Sequence, residues 1–356
     1  MKHPLPYLSI LLALLIFSGC SLHKSPSLSE EIDDTTEEVQ DSIPANYLGD
    51  PMWDPSAKDK IIPVVRRIFQ DSRGDIWFAG DWVVRYRNDS LEVFDDDDNF
   101  RRLVVRAVKE DQQGNMWFGT SGGIMKYDGK SFQNYSEEDG MRGYDVWSME
   151  IDRIGNIWVG TLDGVSRFDG VRFTALELPE AVEDSTRGVS SSRIVHSIME
   201  DSKGKMWFGT NGGAYIYDGN RLENLSEADG LCNNHVNDIL EDKNGNIWFA
   251  THHQGVCSWD GNSFTHFTEK DGIIGTESWS LFEDSKGHIW FPIEGSGMYR
   301  YDGQSMKNFH KEEGMMENAM HSVWEDNEGN LWMGGYMALY RFDGKTFTPI
   351  DNNGPW

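Results

Sequence analysis

The chain has 356 residues and is strongly acidic, with 59 Asp and Glu against 32 Lys and Arg and a net charge of −27. Phosphate backbones and anionic lipid surfaces would be repelled by that balance, which excludes a nucleic-acid-binding reading. In chain order, the first element is the start "MKHPLPYLSILLALLIFSGCS", with Lys2 and His3, an apolar stretch from Leu8 to Phe17, then Ser18-Gly19-Cys20. A short apolar segment with a basic front and small residues at its end predicts a signal peptide over residues 1–19, too short for a membrane span.

The end of that segment is similar to a bacterial lipobox, with Phe17 where Leu is usual. The resemblance implies that Cys20 becomes the lipidated first residue of the mature protein, held on a bilayer by its acyl chains. Residues 20–60, including "SEEIDDTTEE", are rich in Ser, Thr, Pro, Asp and Glu. They are expected to stay unfolded as an acidic tether whose charge keeps it extended.

From residue 61 onward one pattern recurs. An Asp-x-x-Gly-x-x-Trp core places its Trp at 77, 117, 158, 207, 248, 290 and 332, at intervals of 40, 41, 49, 41, 42 and 42 residues. Such a period with strand-like content predicts an all-β, seven-bladed β-propeller with four-stranded antiparallel blades over residues 61–356. In the second repeat the strands read "VVRAVKE", "NMWFGT", "GIMKY" and "SFQNY". Asp-x-x-Gly and Asp-Gly punctuate them, each suited to a tight hairpin turn. The strand around each Trp is apolar without alternation, as expected where both faces of a sheet are covered. A small residue two positions after most of these Trp would let the next blade approach closely. Pro292 holds that place in the sixth repeat and predicts a local deviation there. No strand exchange is visible at the closure.

The pattern "ED-x-x-G-x-x-W-F-G-T-x-x-G-G" resembles the two-component regulator propeller repeat, over about four fifths of the chain. The resemblance implies a propeller like the periplasmic sensor regions of hybrid histidine kinases. No kinase, DNA-binding or membrane-spanning segment follows Trp356 in this sequence, so the expectation is a lipid-anchored protein of the cell envelope without its own output domain. Departures are Arg87-Asn88-Asp89 in place of Asp-Gly, and Pro292-Ile293 in place of Gly-Thr.

Residues that break the pattern are candidates for function. Eleven positions before each core Trp stand Arg66, Arg106, Trp147, His196, Asn237, Trp279 and His321. Aromatic faces, guanidinium forks and directed hydrogen-bonding groups in one repeated slot suit a polar organic ligand such as an anionic or neutral oligosaccharide at the mouth of a central channel. The competing reading is that these groups only fill the tunnel and pair with acids such as Asp145 and Asp238. Loops of the same rim add His235, His252, His253, Glu277 and Glu294, of which His235 and Glu277 join the candidate site. No metal is assigned: no H-x-x-x-H or H-E-x-x-H occurs, and His252 and His253 would point apart on an extended chain. No cofactor is expected. The 49-residue interval holds an insertion, "LELPEAVEDSTRGVSSSR" (176–193), of the kind that covers ligands or is merely tolerated. The acidic run 95–98 and the "DKNGN" at 242–246 lack the ligand spacing of a calcium loop.

Cys232 and Cys257 are left open between a disulfide and two buried thiols. For function, a non-catalytic binding or sensory propeller leads, with a glycan or an envelope signalling protein as partner. Two alternatives stand beside it: an enzyme resembling virginiamycin B lyase or polysaccharide lyases, using His196, His235, His252, His321 and Glu277, and a structural surface scaffold.

Overall fold

The computed structural model describes residues 62–351, apart from 89, 95–99, 101–102, 311–314 and 316–319. Cys20, the expected signal peptide and tether, Trp53, Trp356 and the acidic run 95–98 lie outside the described residues. Seven four-stranded antiparallel sheets follow one another, each built from a contiguous stretch of chain. The first comprises β1 (Val65–Gln70), β2 (Ile76–Gly80), β3 (Val83–Arg87) and β4 (Ser90–Val93). The second comprises β5 (Val105–Glu110), β6 (Met116–Thr120), β7 (Gly123–Tyr127) and β8 (Phe132–Tyr135), within a residue of the sequence expectation. Then come β9–β12 (146–176), β13–β16 (195–225), β17–β20 (236–267), β21–β24 (282–309) and β25–β28 (320–349).

The repeated acidic pair explains itself in three dimensions. Its Asp closes the blade on itself: Asp111 Oδ1 accepts the backbone N–H of Gln113 and Asn115, both at 2.9 Å, while Oδ2 accepts the Trp117 indole at 2.8 Å. All seven core indoles are held this way, by Asp71, Asp111, Asp152, Asp201, Asp242, Asp284 and Asp326. The Glu reaches back to the preceding blade. Glu110 accepts from Ser72, Glu200 from Arg153, Glu241 from Ser202, Glu283 from Lys243 and Glu325 from Ser285.

Ring closure reuses that contact, with Gln70 of the first blade accepting the Asn327 N–H of the seventh at 2.9 Å. Val65, Ile68 and Phe78 pack with Trp332 and Leu339 in one apolar cluster. The ring therefore closes by packing, by side-chain hydrogen bonds and by a backbone contact, in which Val64 bridges Tyr336 antiparallel and the Met337 N–H donates to the Pro63 carbonyl at 2.6 Å, while among the described residues each sheet keeps four strands from one contiguous stretch.

Small residues after the core Trp do admit the neighbour. A Cβ placed on Gly119 would lie 2.7 Å from Val146, one on Gly160 2.9 Å from Val195, and one on Gly209 3.0 Å from Val236. At the sixth blade, Pro292 offers no N–H to the ladder, and the inner strand shrinks to two residues, β21 (Phe282–Glu283). Asn88 takes a positive φ of 49° where other repeats use Gly, a conformation its short polar side chain tolerates.

Cys232 and Cys257 form a disulfide, with Cα atoms 6.0 Å apart, joining the loop before β17 to β19 (Val256–Trp259). Trp259 packs on Trp207, and Trp324 on Phe69 and Phe282, as blade-packing residues.

Candidate functional site

The slot eleven residues before each Trp has a backbone cause. In six blades the inner strand carries a register shift there, around Arg66, Arg106, Trp147, His196, Asn237 and His321. A bulge leaves one residue out of the ladder and re-aims its side chain. In the sixth blade the shortened β21 leaves Trp279 outside the strand altogether.

All seven slot residues line one cavity of about 420 Å³, together with Glu277 and Glu294. His235, the remaining sequence candidate, is not among the lining residues. It packs instead against His253, ring centroids 5.1 Å apart.

The slot residues form a chain of contacts along the cavity wall. Arg106 lies over Trp147, 4.7 Å from the ring centroid, and is paired with Asp145, so that part of the tunnel-filling reading holds. Trp147 meets His196 edge-on at 5.7 Å, and Trp279 meets His321 at the same separation. The Trp279 indole donates to Glu294 at 2.9 Å, yet burial still pushes the Glu294 carboxyl up. Beneath them Arg67 joins the lining and donates to the His321 carbonyl at 3.3 Å. Burial pushes the Arg67 guanidinium down and the Asp238 carboxyl up, each partly offset by the other's charge. Asp238 pairs locally, accepting from Ser197 at 2.8 Å and from the Leu281 N–H at 2.9 Å.

The 176–193 insertion supplies the residues that the slot pattern missed. Its Thr186, Arg187, Gly188 and Val189 line the cavity. The Arg187 side chain, 4% exposed, lies over Trp279 at 5.2 Å and donates to Asn237 Oδ1. It also approaches the His196 ring at 3.4 Å. His196 Nε2 lies 3.0 Å from Asn211 Oδ1, which fits the Nε2–H tautomer, and Arg187 Nη1 stands 3.4 Å from both ring nitrogens. Burial, then the Arg187 charge, hold His196 well below the usual histidine range. Burial together with Arg66 and Arg67 lowers His321 to about 3. Both rings are neutral at neutral pH, and the positive charge of the cavity wall comes from Arg66, Arg67, Arg106 and Arg187. In a chain of net charge −27, this is a local concentration of guanidinium groups against aromatic faces.

The expectation that His252 and His253 point apart is corrected. Thr251 N–H bonds the Gly255 carbonyl, so the segment bends instead of extending, and the two rings lie 4.3 Å apart. His252 lines the cavity, with Nδ1 2.6 Å from Glu277 Oε1.

Three segments, 100–122, 188–212 and 230–253, match the family model described as "Two component regulator propeller". No curated protein matches the chain in sequence. Among solved structures, the chain is similar to the extracellular domain described as that of a hybrid two component system from B. thetaiotaomicron, at 23% identity and a TM-score of 0.66. That match covers 81% of this chain but only 39% of the other. A streptogramin B lyase matches at 15% identity and a TM-score of 0.62, covering 79% of this chain and 94% of that one. Virginiamycin B lyase from Staphylococcus aureus matches at 12% identity and 0.63, over 78% and 94%. At these identities the structural likenesses show the propeller fold alone.

Proposed function

We propose that this propeller is a non-catalytic binding module of the cell envelope whose cavity takes an anionic or neutral oligosaccharide. One observation carries the reading: seven equivalent positions from seven distant segments, dominated by Trp, Arg, His and Asn, line a single cavity. Stacking on Trp147 and Trp279 supplies the apolar contact a sugar ring needs, and the guanidinium groups suit carboxylates such as those of uronates. The repeat match and the likeness to a sensor extracellular domain support an envelope setting, and so does the disulfide, which persists in oxidising compartments. Cys20 is the proposed lipid anchor. Cys20→Ala should release the protein from the membrane fraction into the soluble one; unchanged membrane association would remove the anchor from the proposal.

Titration with acidic and neutral oligosaccharides, followed by melting temperature and calorimetry, tests the cavity. Binding that disappears in Trp147→Ala and Trp279→Ala supports it. Should no glycan bind, or should the Trp variants bind as well as the parent, the cavity is not a glycan site and an envelope protein partner takes precedence. A lyase reading has one local observation in its favour, the close His252 and Glu277 pair on the cavity wall. Turnover of a uronate or lactone substrate lost in His252→Ala would move the assignment to that class.

A further inference from the structure

Beside the cavity, outside its lining, Asp184 of the insertion meets His235, from the loop before β17 (Val236–Glu241), and His253, from the turn after β18 (Ile247–Thr251). One ligand-type atom from each lies within 4.8 Å of the other two, and His253 Nε2 is already 3.1 Å from Asp184 Oδ2. We propose that Asp184, His235 and His253 bind a single divalent transition ion of the zinc class, which clamps the 176–193 insertion onto the fifth blade. The proposal is independent of what the cavity binds.

Donor chemistry selects the ion. Two imidazoles and one carboxylate suit zinc and its neighbours, whereas calcium and magnesium require more oxygen ligands. A tetrahedral ion with bonds of about 2.0–2.2 Å holds its ligand atoms roughly 3.4 Å apart, so modest side-chain rotation from the present spacing closes the site.

The surroundings are arranged as outer partners of such a site. Asp184 Oδ1 is occupied by the Thr186 N–H at 3.0 Å and hydroxyl at 2.6 Å, while Oδ2 faces His253 at 3.1 Å and the Arg187 Nε at 3.4 Å, so an ion there shares the carboxylate with Arg187. His235 Nδ1 lies 3.3 Å from Asn233 Oδ1, the kind of contact that fixes a ring tautomer and presents Nε2 for ligation. His252 stands at the edge of the group, its Nε2 3.3 Å from the Thr186 hydroxyl. Its Nε2 stands 3.5 Å from the same Asp184 oxygen, while its buried Nδ1 and Glu277 Oε1, 2.6 Å apart, are out of line for a hydrogen bond.

The consequence concerns Arg187. It follows Asp184 by three residues, pairs with it through Nε at 3.4 Å and lies over Trp279 at 5.2 Å, so whatever fixes Asp184 bears on Arg187. An ion that joins Asp184 to His235 and His253 ties that placement to two segments of the fifth blade.

Chelator-treated protein titrated with zinc chloride tests the site, with uptake read by calorimetry and elemental analysis. Proteolysis of the insertion reads the clamp in parallel. Expected are one zinc per chain, loss of uptake in Asp184→Asn and in the double variant His235→Ala with His253→Ala, and slower cleavage within 176–193 when zinc is present. Near-UV circular dichroism matching the metal-free parent shows that the variants are folded. No uptake by the parent, equal uptake by the folded variants, or calcium bound as tightly as zinc overturns the site. Zinc bound without any change in cleavage overturns the clamp. None of these outcomes depends on whether an oligosaccharide binds.

Discussion

The Trp248 indole donates to Asp242 Oδ2 at 3.0 Å, and the same carboxylate accepts the Asn244 and Asn246 N–H groups at 2.9 Å through Oδ1. Burial by itself would raise this carboxyl, but the Trp248 and Asn246 hydrogen bonds outweigh it and hold the group below the usual carboxylate range. Its oxygens are thereby committed to the hairpin and the indole, which is why the "DKNGN" stretch is no calcium loop. Asp242→Ala should cost about 2–3 kcal/mol, since hydrogen bonds to a charged acceptor are lost and a buried indole N–H is orphaned. Asp242→Asn should cost less, because an amide oxygen still accepts from the backbone although its NH2 cannot accept from the indole. Equilibrium denaturation of the three proteins checks the order, and equal stabilities would show that the motif's carboxylate is not the hairpin's anchor.

Acid should weaken the fold in two windows. The His321 side chain titrates near 3 when folded, while an unfolded histidine titrates near its ordinary 6.5. Between those values the unfolded chain binds more protons, so stability falls as pH drops from about 6.5 toward 3. The lowered carboxyls of Asp111, Asp242 and Asp284 add a second loss, beginning below about pH 4 as they are forced to protonate. Melting temperature recorded from pH 7 to 4.5 isolates the histidine window. His321→Gln should flatten that slope; an unaltered slope would mean that His321 is not held neutral by its surroundings.

Blade spacing sets a third expectation. A methyl on Gly119 would meet Val146 at 2.7 Å and the Ala107 Cβ at 3.1 Å, both in the body of a packed blade interface. Gly119→Ala should therefore destabilise by about 1–3 kcal/mol through overpacking. Gly129→Ala is the control: nothing lies within 4 Å of its Cβ, and only the positive φ of 92° opposes it. Pairing Gly119→Ala with Val146→Ala should restore part of the loss. A full, uncompensated loss would place the strain elsewhere than at this interface.

How far the sequence could be read follows from what each feature depends on. Period, turn chemistry and apolar runs are local, so blade number, strand limits and the Pro292 irregularity were all visible in order along the chain. The slot residues could be picked out because sevenfold repetition turns a change of residue type into a signal, although the register shift that aims them left no residue-type mark. Arg187 and Asp184 escaped notice because the insertion has no counterpart in other repeats to compare with. The His252-His253 geometry was misread because a hydrogen bond from Thr251 to the Gly255 carbonyl bends a segment whose sequence gives no such warning. The indole bond to the motif Asp spans six residues of a hairpin and became evident only once the turn was built.

The Cys232 to Cys257 disulfide closes a loop across a separation of 25 residues and holds the segment that leads into β17. Cross-links of this loop size stabilise small domains by about 2–4 kcal/mol, chiefly by restricting the unfolded chain. Here the bond also fixes Cys232 three residues before His235, and Cys257 sits in the apolar cluster with Trp207, Ile239 and Phe249. A double Cys232→Ala, Cys257→Ala variant should therefore melt at a lower temperature than the oxidised parent. Treating the parent with a reductant should lower its melting temperature toward that of the variant and leave the variant itself unchanged. Hydrogen exchange should localise the added opening to residues 226–236, since neighbouring blades keep their own Asp to Trp anchors. A reductant effect of equal size in the cysteine-free variant would show that the stabilisation comes from elsewhere in the ring.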